Sequence, residues 1–346
     1  MANETVRVGF VGAGANTRSR HLPGFKAIEG VENVSVANRS RESGQRVADE
    51  FGLPTVYDNW QDLIEAPDTD AICIGTWPYM HCTLVLAALE NDKHVLVEAR
   101  MAMDSSEAQT MLDASKSKSG LVAQIVPAPH TLKVDNTIKG LIADGYLGEI
   151  LSVDLRVGQG GFIDNDGPYH WRHNRDLSGY NIMQKGIWYE AIMRWIGPAA
   201  TVTALTRVNT KTRVDQDGTR HFITIPDHAE ILCEMVSGPV AHMRFSTVTG
   251  LAPANEAWLY GTEGTLKLDA TTMTLYGGRR GDDSLSEIEI APDKAGGWRV
   301  EEEFINAIRG LEPVTHTNFD DGLRYMDFTE AVTRSAESGT KISLPL

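Results

Sequence analysis

The chain has 346 residues, more than one hydrophobic core normally serves, so two domains are expected. Apolar residues make up 42% and charged residues 23%, ordinary for a globular protein, while a formal charge of −15 opposes a nucleic-acid or anionic-membrane partner. No run approaches ~20 apolar residues, the opening residues carry no signal-peptide pattern, and Cys73, Cys82 and Cys233 are too few and scattered for a metal knuckle, so a cytoplasmic protein without a metal site is expected.

From Val6 onward, apolar runs alternate with helical patterns. Val6–Val11, 33–37, Ala71–Ile74, His94–Val97 and 121–125 read as buried parallel strands, because each is short, rich in β-branched residues and flanked by turn residues. Between them, 43–51, 81–91 and 105–118 read as helices. This order is that of an α/β doubly wound parallel sheet of the Rossmann type, expected over 1–127.

Gly12 and Gly14 follow the first strand and fit the first two glycines of a dinucleotide fingerprint. One permits the tight turn, and the other lets backbone approach the phosphates. The third position falls on Thr17, and Ala15 and Asn16 complete the turn. After the second strand comes Ala37-Asn38-Arg39-Ser40-Arg41, with no carboxylate for a ribose 2′-hydroxyl. Arg39 suits a 2′-phosphate and Ser40 can donate to it, so NADP is preferred, with NAD as the alternative. Thr76, Trp77, His81 and Glu98, in the turns after the later strands, complete the expected cofactor set.

Beyond residue 127, 150–157, 201–208, 229–236, 240–247, 257–260, 265–268 and 273–275 read as strands of a second, mainly antiparallel sheet. Several alternate in polarity, as a sheet with one solvated or partner-facing side does. The second domain is expected over 128–346, with a last helix at about 320–338 packing back on the first.

Gly12-Ala13-Gly14, His21-Leu22-Pro23, Thr76-Trp77-Pro78 with His81, His94-Val95-Leu96-Val97-Glu98, Gly145-Tyr146-Leu147-Gly148-Glu149-Ile150 and Glu303-Phe304-Ile305-Asn306-Ala307-Ile308 together resemble the glucose-fructose oxidoreductase/inositol dehydrogenase/rhizopine-catabolism (Gfo/Idh/MocA) family. The resemblance implies a Rossmann domain and a C-terminal α/β domain with an open sheet, one face of which often mediates oligomerisation. A homodimer or homotetramer is therefore expected. It also implies a catalytic Lys in a Glu-Lys-Pro signature, and an Asp and a His four residues apart on a helix. Here these positions are Ala99, Gln184 and Trp188, with Arg100 in the Pro place.

None of the three replacements transfers a proton readily, and Arg100 stays protonated and can only orient an anion or carbonyl. Tyr169-His170-Trp171-Arg172-His173 supplies the nearest candidates, with His170 for proton transfer and Arg172 as a clamp. Arg100, Trp188, Gln184, His170 and Arg172 are thus the expected substrate-side set. Lys185, Tyr189 and Glu190 point away around the helix from the substituted positions, and His130, His228 and His242 stand isolated. The expected activity is NADP-dependent oxidation or reduction of a small polyhydroxylated or carboxylated substrate, a sugar, cyclitol or derivative, with an atypical acid/base set. Two alternatives stay open: a non-catalytic dinucleotide-binding sensor, and a lyase, isomerase or glycosidase-like enzyme that recycles a tightly bound NAD(P).

Overall fold

Six short, largely buried strands make the first sheet: β1 (Val6–Val11), β2 (Val31–Ala37), β3 (Thr55–Tyr57), β4 (Ala71–Ile74), β5 (His94–Val97) and β6 (Ala123–Ile125). The computed structural model describes residues 5–158, 160–180, 184–253 and 255–346. The strands are all parallel, in the order β3-β2-β1-β4-β5-β6. Every residue of β4 is buried, as strands with helices on both faces require. Strand order reverses between β1 and β4, so the loops leaving them open a crevice at a topological switch point.

Helices α1 (Leu22–Lys26), α2 (Arg41–Phe51), α3 (Trp60–Glu65), α4 (His81–Glu90) and α5 (Ser105–Ser117) connect these strands. Ser40, Asn59 and Asp104 cap α2, α3 and α5, each accepting the backbone amide three residues on. The edge strand β3 was not expected, because three residues between turns are too few to establish a period.

The second unit begins at Ala128. It contains α6 (Leu132–Ala143), β7 (Ile150–Gly158), α7 (Arg175–Ser178), α8 (Lys185–Ile196) and β8 (Ala199–Arg207). Then come β9 (Thr212–Val214), β10 (Arg220–Phe222), β11 (His228–Met235), β12 (Val240–Ser246), β13 (Glu256–Gly261), β14 (Gly264–Asp269), β15 (Thr274–Arg279) and β16 (Ser286–Ile288). Its nine-stranded sheet runs β16-β15-β14-β13-β7-β12-β11-β8-β17, where β17 is Ile342–Ser343. Among the described residues only β7 and β12 of this sheet pair in parallel, and β9 with β10 forms a separate hairpin. Alternation places Val153, Leu155, Ile231, Cys233, Met243 and Phe245 in the core. The opposite parity exposes Leu205, Leu232 and Val240.

The chain then returns to the first unit through Arg299–Leu323. Phe304 on α9 (Val300–Ile308) meets Phe25 edge-on at 6.1 Å, and Phe25 meets Phe10 at 6.0 Å, which anchors α9 in that core. The returning segment therefore lies mostly upstream of the 320–338 helix. That helix, α10 (Phe319–Ser338), begins in the first unit and ends in the second, where Tyr189 of α8 stacks on its Phe328 at 3.7 Å.

Candidate active site

The glycine turn after β1 is built from two different requirements. Gly12 has φ +83°, and a Cβ there would lie 2.7 Å from the Thr76 methyl and 2.9 Å from the Thr76 amide nitrogen, so the fold itself demands glycine. At Gly14 a Cβ would meet protein only at 3.8 Å, and the residue is exposed with Ala15 and Asn16. Protein packing does not explain that glycine, whereas backbone approach to a phosphate does. Thr17 is buried in the third position, its hydroxyl donating to the Gly12 carbonyl at 3.3 Å. The close approach is provided from the other side by Gly75, where a Cβ would fall 2.1 Å from the Thr17 hydroxyl and 2.3 Å from the Gly12 carbonyl oxygen.

Asn38 ties the end of β2 to this turn, its side-chain oxygen accepting the Ala13 amide at 2.7 Å. Gly12, Asn38, Arg39, Thr76 and Tyr79 line a cleft of about 310 Å³ at the switch point. Arg39 is exposed and has no ion-pair partner among the described residues. Ser40 differs from expectation, because its hydroxyl already accepts the Ser43 amide at 3.3 Å and donates to the Ser43 hydroxyl. A carboxylate also enters the lining from a strand the sequence did not disclose. Asp58, just after β3, lines the same cleft, but Arg41 holds it at 2.8 Å. The hydroxyl oxygen of Thr76 is buried with no hydrogen-bond partner among the described residues, and Trp77 is half-buried beside it. Together, the open Gly14, the Arg39 cation and the orphaned Thr76 oxygen fit a dinucleotide.

His81 does not reach the cleft. It is fully buried, one ring nitrogen 3.1 Å from the Thr76 carbonyl and the other 2.9 Å from the Arg100 carbonyl, and burial pushes its pKa down. Its role is to join the loop after β4 to Glu98-Ala99-Arg100, in which the Ala99–Arg100 peptide is cis and Arg100 is half-buried. Glu98 accepts the Asn16 side-chain amide and the Ala99 amide and lies 3.0 Å from His21. Burial pushes the Glu98 carboxyl up, and His21 more than reverses this, keeping it ionised. His21 and Glu301 were not singled out from the sequence, although His21 stands in one of the motifs quoted above.

In the second unit Gln184 is the N-cap residue of α8 and is exposed. It lines a pocket of about 70 Å³ with Phe245, Ser246, Thr247 and Asn255. Trp188, one turn on, is buried and donates its indole N–H to the Gln184 side-chain oxygen at 3.3 Å, while His130 stacks on it at 5.4 Å. The other helix candidates are spent on structure. Lys185 is buried and donates to the Thr329 carbonyl at 2.8 Å, with burial pushing its pKa well down. The Tyr189 hydroxyl accepts the Ala199 amide, and Glu190 accepts the Ala128 amide.

His170 and His173 bracket one tight turn, Trp171–His173, and each ring Nδ1 accepts a backbone amide. Arg172 N donates to His170 at 3.2 Å and His170 N donates to His173 at 3.0 Å. Tyr169 stacks on His221 of β10 at 4.0 Å and donates its amide to the Val214 carbonyl, which fixes the turn to the β9–β10 hairpin. Burial and then Arg172 lower the His170 pKa, and burial, Arg213 and His170 lower His173 to about 4. With Nδ1 occupied, the neutral His170 ring keeps its proton on Nε2 and offers a donor rather than a base. Arg172 is exposed, its guanidinium 4.3 Å over the Trp171 ring.

Residues 6–125 match the oxidoreductase family with the NAD-binding Rossmann fold, GFO/IDH/MocA, and residues 136–267 match the GFO/IDH/MocA C-terminal domain. The dTDP-3,4-didehydro-2,6-dideoxy-alpha-D-glucose 3-reductase of Streptomyces antibioticus is 25% identical over 96% of this chain and 97% of its own. Its counterpart from Saccharopolyspora spinosa is 26% identical over 76% of this chain and 74% of its own. A solved levoglucosan dehydrogenase, in complex with NADH and L-sorbose, shares the fold with a TM-score of 0.87 at 20% identity, covering 99% of both chains.

Proposed function

This chain belongs to the GFO/IDH/MocA oxidoreductase family, and we propose that it is an NADP(H)-dependent enzyme reducing the carbonyl of a small polyhydroxylated substrate of the sugar class. The observation that carries the cofactor half is the switch-point cleft, with Gly14 open to it and Arg39 on its lining. Arg39 pairs with a 2′-phosphate, and Asp58, held by Arg41, does not compete for a 2′-hydroxyl. The Gly12–Gly14 turn and Thr76 take the diphosphate region.

The substrate half is supported by the side chain of Gln184. Gln184 is a neutral, exposed side chain, suited to a hydroxyl rather than to a carboxylate, while Ser246, Thr247 and Asn255 beside it are already hydrogen-bonded within the fold. The two relatives reported above carry reductase names for a keto-sugar substrate. When bound, the nicotinamide supplies the hydride that a carbonyl carbon accepts. His170 donates an Nε2–H hydrogen bond to the carbonyl oxygen, where negative charge develops during reduction, and the resulting alkoxide takes its proton from solvent. Gln184 orients a neighbouring hydroxyl. The three free cysteines fit a reducing, cytoplasmic setting.

The test is to incubate the purified protein with NADPH and a panel of ketosugars and keto acids, following the absorbance of the reduced nicotinamide. Turnover on ketosugars supports this reading. A dinucleotide that stays bound without net oxidation moves the protein to the recycling chemistry, and saturable binding with no oxidation on any substrate moves it to a sensor.

A further inference from the structure

His21 is completely buried, yet it meets a carboxylate on each side of its ring: Nε2 lies 3.0 Å from Glu98 Oε1 and Nδ1 lies 2.5 Å from Glu301 Oε1. An imidazolium donates from both ring nitrogens and so satisfies both carboxylates at once, whereas a neutral ring donates to only one. We propose that His21 is the positioning residue of the cofactor loops: as an imidazolium shared by Glu98 and Glu301, it holds the 98–100 loop to the glycine turn and thereby sets dinucleotide affinity. The inference rests on the cofactor reading above.

The surrounding geometry is built for this contact. Glu98 continues from His21 to the Asn16 side chain, in the exposed turn beside Gly14, and to the Ala99 amide. Glu301 arrives on α9, and Gly24 makes room for it, since a Cβ there would come within 2.8 Å of the Glu301 carboxyl carbon. His21 also closes a widened π-type turn, Thr17–His21, in which the Leu22 amide bonds the Thr17 carbonyl. One proton therefore links α9, the loop after β5 and the phosphate-side turn.

Losing that proton removes the His21 bond to one of the two carboxylates and loosens the link between the loops. Burial pushes the ring down, but the two carboxylates outweigh it and hold His21 at about 9. The other titratable groups packed around it do not change charge there. Cys73 is kept as a thiol by burial and by the same carboxylates, His81 is kept neutral by burial, and Glu98 is already ionised.

Fluorescence titration of the full-length protein with NADPH from about pH 7 to about pH 10 tests this. The dissociation constant is expected to be flat at first and to rise by roughly tenfold across the top of the range, one proton being lost. Glu301→Gln removes one carboxylate while keeping a hydrogen-bonding partner, so its midpoint should fall by about one pH unit or more. His21→Gln, with folding checked by circular dichroism, should bind more weakly at pH 7 and show no midpoint. A flat wild-type profile, or a Glu301→Gln midpoint unchanged from wild type, overturns the proposal. Wild-type protein that binds neither NADPH nor NADH at any pH defeats the cofactor reading itself and this inference with it.

Discussion

Trp188 and Gln184 satisfy each other across one turn of α8, indole N–H to amide oxygen at 3.3 Å. The two side chains that take the places of an acid and its partner thus form a closed neutral pair. Trp188 is also a packing element, buried under His130. Trp188→Ala is expected to destabilise the protein by about 3–5 kcal/mol, the usual cost of emptying an aromatic core site. Urea denaturation measures it, and a loss under about 1 kcal/mol contradicts the packing role.

Arg39 and Ser40 separate binding from folding. Arg39→Asp should weaken NADPH binding by ~1.5–3 kcal/mol through loss of a charge-assisted contact, and should narrow the preference over NADH. Ser40→Ala should leave affinity nearly unchanged and cost about 1 kcal/mol of stability, because the hydroxyl serves as the cap of α2. Calorimetric titration beside thermal melts distinguishes the two. Undiminished NADPH affinity in Arg39→Asp contradicts the NADP assignment.

A parallel contrast holds in the glycine turn. Gly12→Ala meets the Thr76 backbone at a positive φ and should lower the melting temperature clearly. Gly14→Ala meets only an ordinary contact and should melt like wild type while binding NADPH at least ~10-fold more weakly, because the added methyl occupies the path of the diphosphate. A Gly14→Ala protein with wild-type affinity contradicts the placement of the cofactor.

The His170–His173 turn is acid-sensitive with a fixed sign. His173 has an ordinary value of 6.5 and about 4 in the fold, so its neutral form is favoured on folding. The associated stability is fully present above about 6.5 and is lost as pH falls toward about 4, because a protonated Nδ1 faces the His170 amide. Proton NMR of the histidine rings should show the turn opening over that interval. His173→Asn, which keeps an acceptor that does not titrate, should hold it closed. His170→Ala should reduce turnover by ~100-fold or more on an identified ketosugar, with NADPH affinity unchanged.

Leu205, Leu232 and Val240 lie exposed on the sheet face opposite the core, where Trp258 and Tyr260 also stack at 5.8 Å. A self-complementary dimer through this face is expected, and Leu232→Glu should dissociate it by removing an exposed apolar side chain and adding a carboxylate between Glu230 and Glu234. Light scattering across micromolar concentrations checks this. A wild-type monomer throughout that range contradicts the assembly.

Five of the six strands of the first sheet, though not β3, were legible because buried parallel strands announce themselves as apolar runs between turn residues, and Gly12, Gly14 and Arg39 could be placed at strand ends from the pattern alone. Contacts made at long range were not. His21 and Glu301 are 280 residues apart, and periodicity carries no information about which buried polar groups meet. Asp58 escaped notice because it follows a strand of three residues. The His170 tautomer depends on the amide of Arg172, a local geometry that residue type does not encode. Helical spacing turns Lys185 and Tyr189 away from the substituted positions, whereas their complete burial follows from α10 and β8, elements distant in sequence.

The crossing of the first helical turn over the loop after β4 works as a lug in a slot. Thr17 projects a branched side chain into the notch that Gly75 leaves open, with its hydroxyl on the Gly12 carbonyl. A glycine in the helical turn would let the two segments slide past each other, whereas a threonine locks both translation and rotation. The backbone of the glycine turn is therefore fixed by protein packing alone, independent of any ligand.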